Sequence, residues 1–412
     1  MASSQERILV LAPHPDDEAL GAGGLMAKAA ASGHEVFVAL LTSGDGFKED
    51  AARYYLSLDV SKEEYLHMGY ERQIETQAAL ARVGVPKEHI AFLGYPDGGL
   101  DALWLTHWNQ DPWTSPTTGY DATPYLTALR PNSPYRGIDL LSLLMGLYEE
   151  IQPTQLVMPS AFDTHPDHWG TNAYATLAWA EWAHRDAAWR TMPRWGYLVH
   201  WPAWPLPLAY RPEMEAEAPE RLVALGQEPW HKESLQPGWI DAKREALLAY
   251  ESQVELIKLY MLAFCRKTEL FSVESGWQGD VREGLLAVSN PASDWVSRTL
   301  RRTNPLARIS WGRRSDRDVA VVELSRTLDA EERIEISLHP VDGEHRHYRW
   351  LAGRNAVPDA VQVVARGTRW EFSWPTSWIG GAPLVVAGVQ VYNRDKSAGK
   401  IPFRVIPWRD NQ

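Results

Sequence analysis

Cysteine is nearly absent from this chain of 412 residues, which contains only Cys265. No disulfide bond can therefore form within the chain, and its folding requires no oxidising compartment. The N-terminus has no basic segment followed by a long apolar run, so we expect no secretory signal peptide. These absences are typical of a cytoplasmic protein, which is the location we expect.

Long apolar runs are also absent, since even "GIDLLSLLMGLYEEI" ends well short of the ~20 apolar residues that cross a bilayer. Basic residues are outnumbered, with 41 Lys and Arg against 53 Asp and Glu and a net charge of -12. Such a charge repels phosphate backbones and anionic membrane surfaces. We therefore expect neither nucleic acid nor a membrane as a partner, whereas assembly into a homo-oligomer is left open.

Phenylalanine is scarce, with eight residues, but the chain contains 20 tryptophans. Tryptophan faces often stack on sugar rings, although large aromatic side chains more often fill cores and interfaces. Composition alone does not decide between these two roles.

Short strand-like runs alternate with longer helical stretches from Arg7 to about His200, beginning with "RILVLA", "LGAGGLMAKAAASG" and "EVFVALL". This alternation predicts an α/β fold with a Rossmann-like, mostly parallel sheet and helices on both faces. Functional residues in such sheets lie at the carboxyl ends of the strands.

The composition predicts a division of the chain into two domains. Residues 1–290 form the predicted catalytic domain, with Pro- and Trp-rich insertions at about 97–136 and 201–238 that are suited to line a pocket. Residues 291–317 are rich in arginine and are interpreted as a solvated linker, with a basic partner-binding arm as the alternative. Residues 318–412 contain only strand-like runs, which predict an all-β accessory domain resembling an antiparallel β-sandwich.

The stretch "LAPHPDDEALGAGG" follows the first strand and raises the question of nucleotide binding. A dinucleotide fingerprint needs Gly-x-Gly-x-x-Gly directly after the strand. Here Gly21 and Gly23 come more than one helical turn too late, and Met26 occupies the third glycine position. We therefore expect Gly21, Gly23 and Gly24 to let the helix pack closely against the sheet.

Polar side chains in the same stretch have counterparts about 150 residues later, in "FDTHPDHWG". Because both stretches follow strands of one parallel sheet, their imidazoles and carboxylates can converge on a single point, as a metal requires. Two imidazoles and one carboxylate match catalytic zinc, although the same set also holds non-haem iron(II). A remaining carboxylate beside the metal-bound water is a natural general base, which predicts a hydrolase.

The motifs "PHPDDE" and "HPDH", in this order and at this separation, resemble the two signatures of the LmbE-like, or PIG-L, de-N-acetylases. Members of that family are zinc amidases that remove acetyl groups from N-acetylglucosamine-type sugars. The resemblance covers about the first 275 residues, with weaker agreement at "TSGDG", "ERQIE", "GYPDGGL", "KREALLAYESQ" and "TELF". The two insertions and the C-terminal β region depart from the smaller family members.

The resemblance implies that His14, Asp17 and His168 bind one Zn²⁺ per chain, with Fe²⁺ or another divalent metal as the alternative. Asp16 would be the general base that generates a metal-bound hydroxide. His165 would stabilise the tetrahedral oxyanion or protonate the leaving amine.

The resemblance further implies that Arg72 and Asp97 hold substrate hydroxyls or the acyl group, although Arg72 also suits a salt bridge on a helix face. Ser43 and Asp45 lie on a strand-end loop that is expected to face the cleft. Asp45 stands where the family commonly has glutamate, which leaves its role open.

Three acidic residues are expected to support the metal ligands. Asp163 or Asp167 would accept the second ring N–H of a histidine, or would cap a loop. Glu18 would form a hydrogen bond within the site, or would favour the N-terminus of the helix.

These residues together predict a zinc-dependent hydrolase that removes an N-acetyl group from an N-acetylglucosamine-type amino sugar or its conjugate. A metal-dependent amidase acting on a non-sugar acylated metabolite is the first alternative. A catalytically inactive sugar-binding homologue is the second.

Overall fold

The computed structural model describes residues 5–57, 59–225, 229–274, 280–282, 285–289, 305–353, 357–394 and 396–408. The chain divides into two compact units. Unit 1 comprises Met1–Ala178, Thr191–Ala218 and Pro229–Glu274. Unit 2 comprises Trp179–Arg190, Pro219–Glu228 and Ser275–Gln412.

The strands are, in chain order, β1 (Arg7–Ala12), β2 (Glu35–Thr42), β3 (Ile90–Tyr95), β4 (Gln155–Pro159), β5 (Arg194–Tyr197), β6 (Trp230–Ser234), β7 (Thr268–Val273), β8 (Asp280–Arg282), β9 (Leu285–Ser289), β10 (Leu306–Arg314), β11 (Arg317–Leu324), β12 (Glu332–Val341), β13 (Tyr348–Ala352), β14 (Gln362–Arg366), β15 (Arg369–Pro375), β16 (Leu384–Asn393) and β17 (Lys396–Pro407). The α-helices are α1 (Asp17–Ala31), α2 (Lys48–Tyr54), α3 (Lys62–Arg82), α4 (Leu100–Leu105), α5 (Gly137–Ile151), α6 (Pro166–Arg185), α7 (Glu220–Leu225), α8 (Pro237–Leu248) and α9 (Glu251–Leu262). Across the described residues, no helix combines the length and the apolar character that a bilayer span requires.

The sheet of unit 1 has the strand order β3-β2-β1-β4-β5-β7-β6. Strands β1 to β5 run parallel to their neighbours, whereas β7 is antiparallel to both β5 and β6. The chain builds the sheet outward from β1 to β3 and then returns to place β4 on the other side of β1. In parallel sheets a crevice opens at such a reversal, outside the carboxyl ends of the strands. The predicted mostly parallel α/β sheet is confirmed, and the ends of β1 and β4 lie side by side.

Strand β1 lies in the interior of unit 1 and is covered on both faces. Ile8 and Val10 belong to a core cluster that includes residues of α1, α3 and α8. Leu9 and Leu11 point to the opposite face of the sheet and are also fully buried. Burial on both faces explains why this strand has a continuous apolar sequence rather than an alternating one.

Helix α1 packs closely on its neighbours through its glycines. A Cβ atom added to Gly21 would overlap the ring of Tyr197 in β5, and one added to Gly24 would overlap Leu235. At Gly23 an added Cβ would lie 3.0 Å from the side chain of Lys243. The predicted close packing against the sheet is confirmed for Gly21 and Gly24, whereas Gly23 packs on helix α8.

A buried ion pair ties the middle of α1 to β7. The carboxylate of Glu269 accepts hydrogen bonds from the backbone N–H groups of Gly24 and Leu25, both at 2.7 Å. The ammonium of Lys243 lies 2.6 Å from this carboxylate and donates a second hydrogen bond to the carbonyl of Leu20. These contacts fix the position of α1, and with it the residues at its N-terminus.

Unit 2 contains two antiparallel sheets with the strand orders β14-β15-β11-β10-β9-β8 and β13-β12-β16-β17. Residues from both sheets form one core cluster, which confirms the predicted sandwich-like architecture. Trp311, Trp350, Trp374 and Trp408 are buried in this cluster. No tryptophan of the described residues is among the exposed large side chains, which favours core filling over sugar stacking as their role.

The structure changes unit at residue 274 rather than at the predicted 290, and the predicted linker is partly strand. Strand β10 begins at Leu306, inside the stretch 291–317. The arginines of this stretch led to its interpretation as a solvated linker, but Ile309 and Trp311 form a buried apolar face of β10. Arg313 and Arg314 pair instead with Asp318 and Glu371. The remainder of that stretch, residues 291–304, lies outside the described residues.

Two further sequence interpretations are refined by the structure. The insertion 97–136 contains α4, and the insertion 201–238 contains α7, β6 and the start of α8. The stretch "DAKREALLAYESQVELIKLYMLAF" contains no proline or glycine and favours one continuous helix, but it forms two helices, α8 and α9, separated at residues 249–250.

Candidate functional site

The loops that follow β1 and β4 bring their polar side chains together at the carboxyl edge of the sheet. The Oδ2 atom of Asp17 lies 3.0 Å from Nδ1 of His14 and 3.1 Å from Nε2 of His168. One carboxylate oxygen therefore lies between two imidazoles that are 154 positions apart in the sequence. Of the three residues predicted as metal ligands, Asp17 therefore contacts both histidines.

The second ring nitrogen of His168 faces Asp163. The Nδ1 atom of His168 lies 3.1 Å from Oδ2 of Asp163. Backbone N–H groups of His165, Val199 and His200 donate to the same carboxylate at 2.9–3.0 Å. Asp163 is thus held in place by the main chain and occupies the predicted position behind a histidine.

The second ring nitrogen of His14 faces two carboxylates. Its Nε2 atom lies 3.1 Å from Oδ2 of Asp167 and 3.2 Å from Oδ1 of Asp97. Asp167 also accepts hydrogen bonds from the backbone N–H groups of Gly98 and Leu100. Asp97, predicted to contact the substrate, lies against His14 and accepts a hydrogen bond from the N–H of Gly46.

Asp16 has a left-handed backbone, with φ of 108°, directly before the first residue of α1. This region is rarely occupied by residues with a Cβ and is often found at functional sites. Burial raises the pKa of Asp16 well above its usual value, the adjacent Asp17 carboxylate raises it further, and Arg72 opposes the change. A raised pKa suits a carboxylate that must accept a proton near neutral pH.

Arg72 of α3 is buried and contacts the loop that carries Asp16. Its guanidinium donates hydrogen bonds to the carbonyls of Pro15 at 2.7 Å and Gly44 at 2.9 Å. The distance from its Nη2 atom to Oδ2 of Asp16 is 3.8 Å. Arg72 therefore joins the β1 and β2 loops, and no salt bridge on an exposed helix face is needed to explain it.

His165 and His200 complete a group of four imidazoles around the convergence point. The ring centroid of His165 lies 5.0 Å from those of His14 and His200 and 5.2 Å from that of His168. Burial and the neighbouring imidazoles of His14 and His168 lower the pKa of His165 to about 3, so the ring is neutral.

Sequence reasoning missed His200, whose ring centroid lies 4.6 Å from that of His168. The residue belongs to no recognised motif. The only available signal was its position shortly after a strand of the same parallel sheet, in "WGYLVH".

The predicted loop residues Ser43 and Asp45 are fully buried rather than facing an open cleft. Ser43 accepts a hydrogen bond from the amide of Gln73 at 2.8 Å. Asp45 accepts one from the hydroxyl of Tyr125 at 2.5 Å, and burial together with the charge of Asp97 raises its pKa to about 7. Both side chains therefore support the loop after β2.

Glu18 lies beneath the Asp16 loop. One of its oxygens accepts a hydrogen bond from the backbone N–H of Asp16 at 3.2 Å, and the other accepts from the hydroxyl of Tyr250. Burial raises the pKa of Glu18 to about 7. Of the two expectations for Glu18, the structure shows the hydrogen bond within the site.

Carboxylates and imidazoles in the site perturb one another strongly. Burial opposes the charged form of Asp17, but the facing imidazoles of His168 and His14 hold its pKa well below the usual value. Burial likewise opposes a charge on His168, yet the carboxylates of Asp163 and Asp17 raise its pKa to about 9. The two carboxylates thus favour a positive charge on the His168 ring, and a bound cation can supply that positive charge instead.

The donor set fits a divalent metal. Both ring nitrogens of His168 are buried, and among the described residues neither finds a hydrogen-bond partner of acceptable angle despite the carboxylates 3.1 Å away. Ligand atoms lie within 4.8 Å of one another in three groups: His14, His165 and His168; Asp17, His168 and His200; and His14, Asp97 and Asp167. Nitrogen and carboxylate donors at such separations are what zinc and iron(II) prefer.

Residues 9–179 match the family model PIG-L, described as GlcNAc-PI de-N-acetylase. A 1D-myo-inositol 2-acetamido-2-deoxy-α-D-glucopyranoside deacetylase from a Nocardioides species is 30% identical over 180 residues, which cover 42% of this chain and 53% of the relative. A deacetylase of the same description from a Mycobacterium species is 30% identical over 200 residues, which cover 48% and 58%. The chain thus spans about half the length of the curated relatives that it matches.

Among solved structures, the N,N'-diacetylchitobiose deacetylase from Pyrococcus horikoshii aligns with 66% of this chain and 84% of its own, at 16% identity and a TM-score of 0.40. A TM-score of this size supports no functional argument. The match to the family model covers both the "PHPDDE" and the "HPDH" motif. Residues 9–179 of this chain are therefore similar to the PIG-L, or LmbE-like, family.

Proposed function

We propose that this protein is a zinc-dependent hydrolase that removes the N-acetyl group from an N-acetylglucosamine-type sugar or its conjugate. The observation that carries the proposal is the position of Asp17 Oδ2, within 3.1 Å of one nitrogen each of His14 and His168. The match of residues 9–179 to the PIG-L family model supports the reaction class. The descriptions of the two curated relatives support an amino-sugar substrate.

His14, Asp17 and His168 are the residues that would hold the metal. A divalent metal at this position supplies a Lewis acid for the acetyl carbonyl and lowers the pKa of a bound water to about 7. Asp163 and Asp167 face the second ring nitrogens of the two imidazoles, and with the metal bound they would orient the rings and select the tautomer that each ring presents. Four buried carboxylates and one half-buried carboxylate surround the site, and negative charge on them favours a cation there: Asp16, Asp17, Asp163 and Asp167 are buried, and Asp97 is half-buried.

Asp16 accepts the proton of the attacking water. Its carboxylate adjoins that of Asp17 in the sequence, and because adjacent side chains point in different directions, Asp17 would face the metal and Asp16 the water. Arg72 and Glu18 hold the backbone of this turn from two sides. Asp16 then returns the proton to the departing amine.

His165 donates a hydrogen bond to the carbonyl oxygen as negative charge develops on it. The ring is neutral and only partly buried, so an N–H group is available to a substrate. Such preorganised donors typically contribute ~10²–10³ in rate. In this assignment His165 stabilises the oxyanion, and Asp16 acts as the general base and then as the general acid.

Acetate release from zinc-loaded protein tests the substrate class. We expect N-acetylglucosaminyl-inositol, or another N-acetylglucosamine conjugate, to be hydrolysed with kcat/KM at least about 100-fold above simple N-acetyl aryl amides, because a site that binds hydroxyl groups rejects compounds without them. Equal rates on aryl amides would favour the non-sugar amidase. Stoichiometric zinc without hydrolysis of any substrate would favour a sugar-binding protein.

A further inference from the structure

His200 follows β5 and is adjacent to the residues that would hold the metal, although no signature motif contains it. Its ring centroid lies 4.6 Å from that of His168, with the two planes at 76°. One nitrogen of His200, the Nε2 or Nδ1 of His168 and an oxygen of Asp17 all lie within 4.8 Å of one another. These three residues therefore form a compact group of potential ligands that includes an imidazole unassigned in the proposed function.

The main chain around His200 is fixed to the same loop that carries the predicted ligand His168. The N–H of His200 donates to Oδ2 of Asp163 at 2.9 Å, and its carbonyl accepts hydrogen bonds from the N–H and the hydroxyl of Thr164. The same Oδ2 atom lies 3.1 Å from Nδ1 of His168. One carboxylate thus contacts the imidazole of His168 and the main chain of His200, so both residues are held by the same support.

The separations are compatible with a shared metal. Two ligand atoms bound to one zinc at about 2.1 Å lie no more than about 4.2 Å apart, and about 3.4 Å apart at a tetrahedral angle. The distances from Asp17 Oδ2 to His14 and His168 are already in this range. The ligand atoms of Asp17, His168 and His200 lie within 4.8 Å of one another, so a small movement of the His200 side chain brings its nitrogen within the same range of Asp17 and His168.

We propose that His200 is a fourth protein ligand of the metal centre, beside His14, Asp17 and His168. This inference rests on the proposed function, because it assumes that the site holds a metal. A metal held by four protein ligands would take up the attacking water as a fifth ligand, a number that zinc tolerates. It also predicts tighter metal retention than three ligands alone provide.

Zinc-edge X-ray absorption of the zinc-loaded full chain counts the imidazoles directly. We expect three imidazoles per zinc in the wild type and two in His200→Asn, with an apparent zinc Kd at least about 10-fold weaker in the variant, since even indirect partners of ligands contribute that much. His200→Gln is measured in parallel, and thermal unfolding of the metal-free proteins establishes that both variants are folded.

His165→Asn is the matched comparison, because its ring lies 5.2 Å from that of His168 and its nitrogens also lie near those of His14 and His168, but the proposed function assigns it to the substrate carbonyl rather than to the metal. We expect this variant to keep the wild-type zinc Kd and imidazole count. An equal loss of affinity in both variants would mean that packing against His168, not ligation, is responsible, and would overturn the inference. Two imidazoles in wild-type protein that binds zinc would overturn it while sparing the proposed function. Failure of the wild type to bind zinc at all would contradict both the proposed function and the assignment of His200 as a ligand.

Discussion

Arg72 illustrates how a single buried side chain can be interpreted in two ways. The family resemblance implies a contact with the substrate, whereas its guanidinium donates to the carbonyls of Pro15 and Gly44. These carbonyls belong to the loops after β1 and β2, which both end at the site. Arg72 is buried, but it can therefore determine where Asp16 lies. The geometry favours a positioning role for Arg72.

Arg72→Lys should therefore reduce stability and kcat together. A lysine ammonium cannot replace the fork of guanidinium donors, so at least one buried carbonyl loses its partner, at a cost of about 1–3 kcal/mol. Urea unfolding and steady-state kinetics on the zinc-loaded protein measure both effects. Arg82→Lys, an exposed position at the end of the same helix, should change neither. An Arg72→Lys variant with unchanged stability and only a higher KM would instead indicate substrate contact.

At the residue scale, sequence motifs predicted the convergence of His14, Asp17 and His168, because strand ends in a parallel sheet share one edge. They did not predict that Ser43 and Asp45 would be buried beneath the loop, since their partners Gln73 and Tyr125 are distant in sequence. They also did not indicate His200, which reaches the site only through the placement of β5. Contacts made by long-range packing have no local sequence signal.

At the scale of elements, α1 depends on glycines that a helix would otherwise disfavour. Gly21 has no room for a Cβ because the ring of Tyr197 occupies that space. The loss of helix propensity at glycine is therefore offset by close contact between α1 and β5. This contact helps to hold the N-terminus of α1, where Asp17 begins the helix.

Gly21→Ala should destabilise the protein by about 1–3 kcal/mol, because overpacking a buried contact forces the helix or the tyrosine ring to move. Gly146→Ala in α5 is the matched control, since a Cβ there would meet nothing within 4 Å. That variant should be more stable than the wild type by up to about 1 kcal/mol from helix propensity alone. Urea unfolding followed by circular dichroism compares the two. Equal stability of both variants would contradict the packing role of Gly21.

The elements were largely predictable in unit 1, where the apolar runs of β1, β2 and β4 are buried on both faces. The prediction was less accurate where charge hid an apolar face, as in β10, whose alternating Ile309 and Trp311 lie between arginines. The separation of α8 from α9 was also missed, because no proline or glycine marks residues 249–250. Tertiary contacts there override a sequence that favours one continuous helix.

At the scale of the whole molecule, acid should destabilise unit 2 through a buried histidine pair. His339 is 1% exposed, and its ring stacks on that of His347 with centroids 4.4 Å apart. Burial, with the neighbouring His347, lowers the pKa of His339 well below its ordinary value of 6.5. Below pH 6.5, His339 therefore binds a proton in the unfolded chain but not in the folded unit. The free energy of unfolding falls as the pH falls through this range.

His339→Phe should remove this part of the pH dependence. Between pH 7 and pH 5 one such histidine costs up to about 2 kcal/mol of stability, a limit that the unfolded pKa determines. The free energy of unfolding of the wild type should therefore drop more steeply over this range than that of the variant. Urea titrations at both pH values provide the comparison. Parallel pH profiles for the two proteins would show that His339 charges equally well in the folded state.

The central claim is that separate neighbouring residues hold the metal and accept the proton. It is tested most directly by measuring zinc content and the rate of acetate release on the same preparations of the wild type, Asp16→Asn and His14→Asn, with an N-acetylglucosamine conjugate as substrate. We predict that Asp16→Asn keeps one zinc per chain but loses about 10²–10⁴ in rate, whereas His14→Asn loses the zinc itself. An Asp16→Asn protein that binds zinc and releases acetate at the wild-type rate would contradict the account.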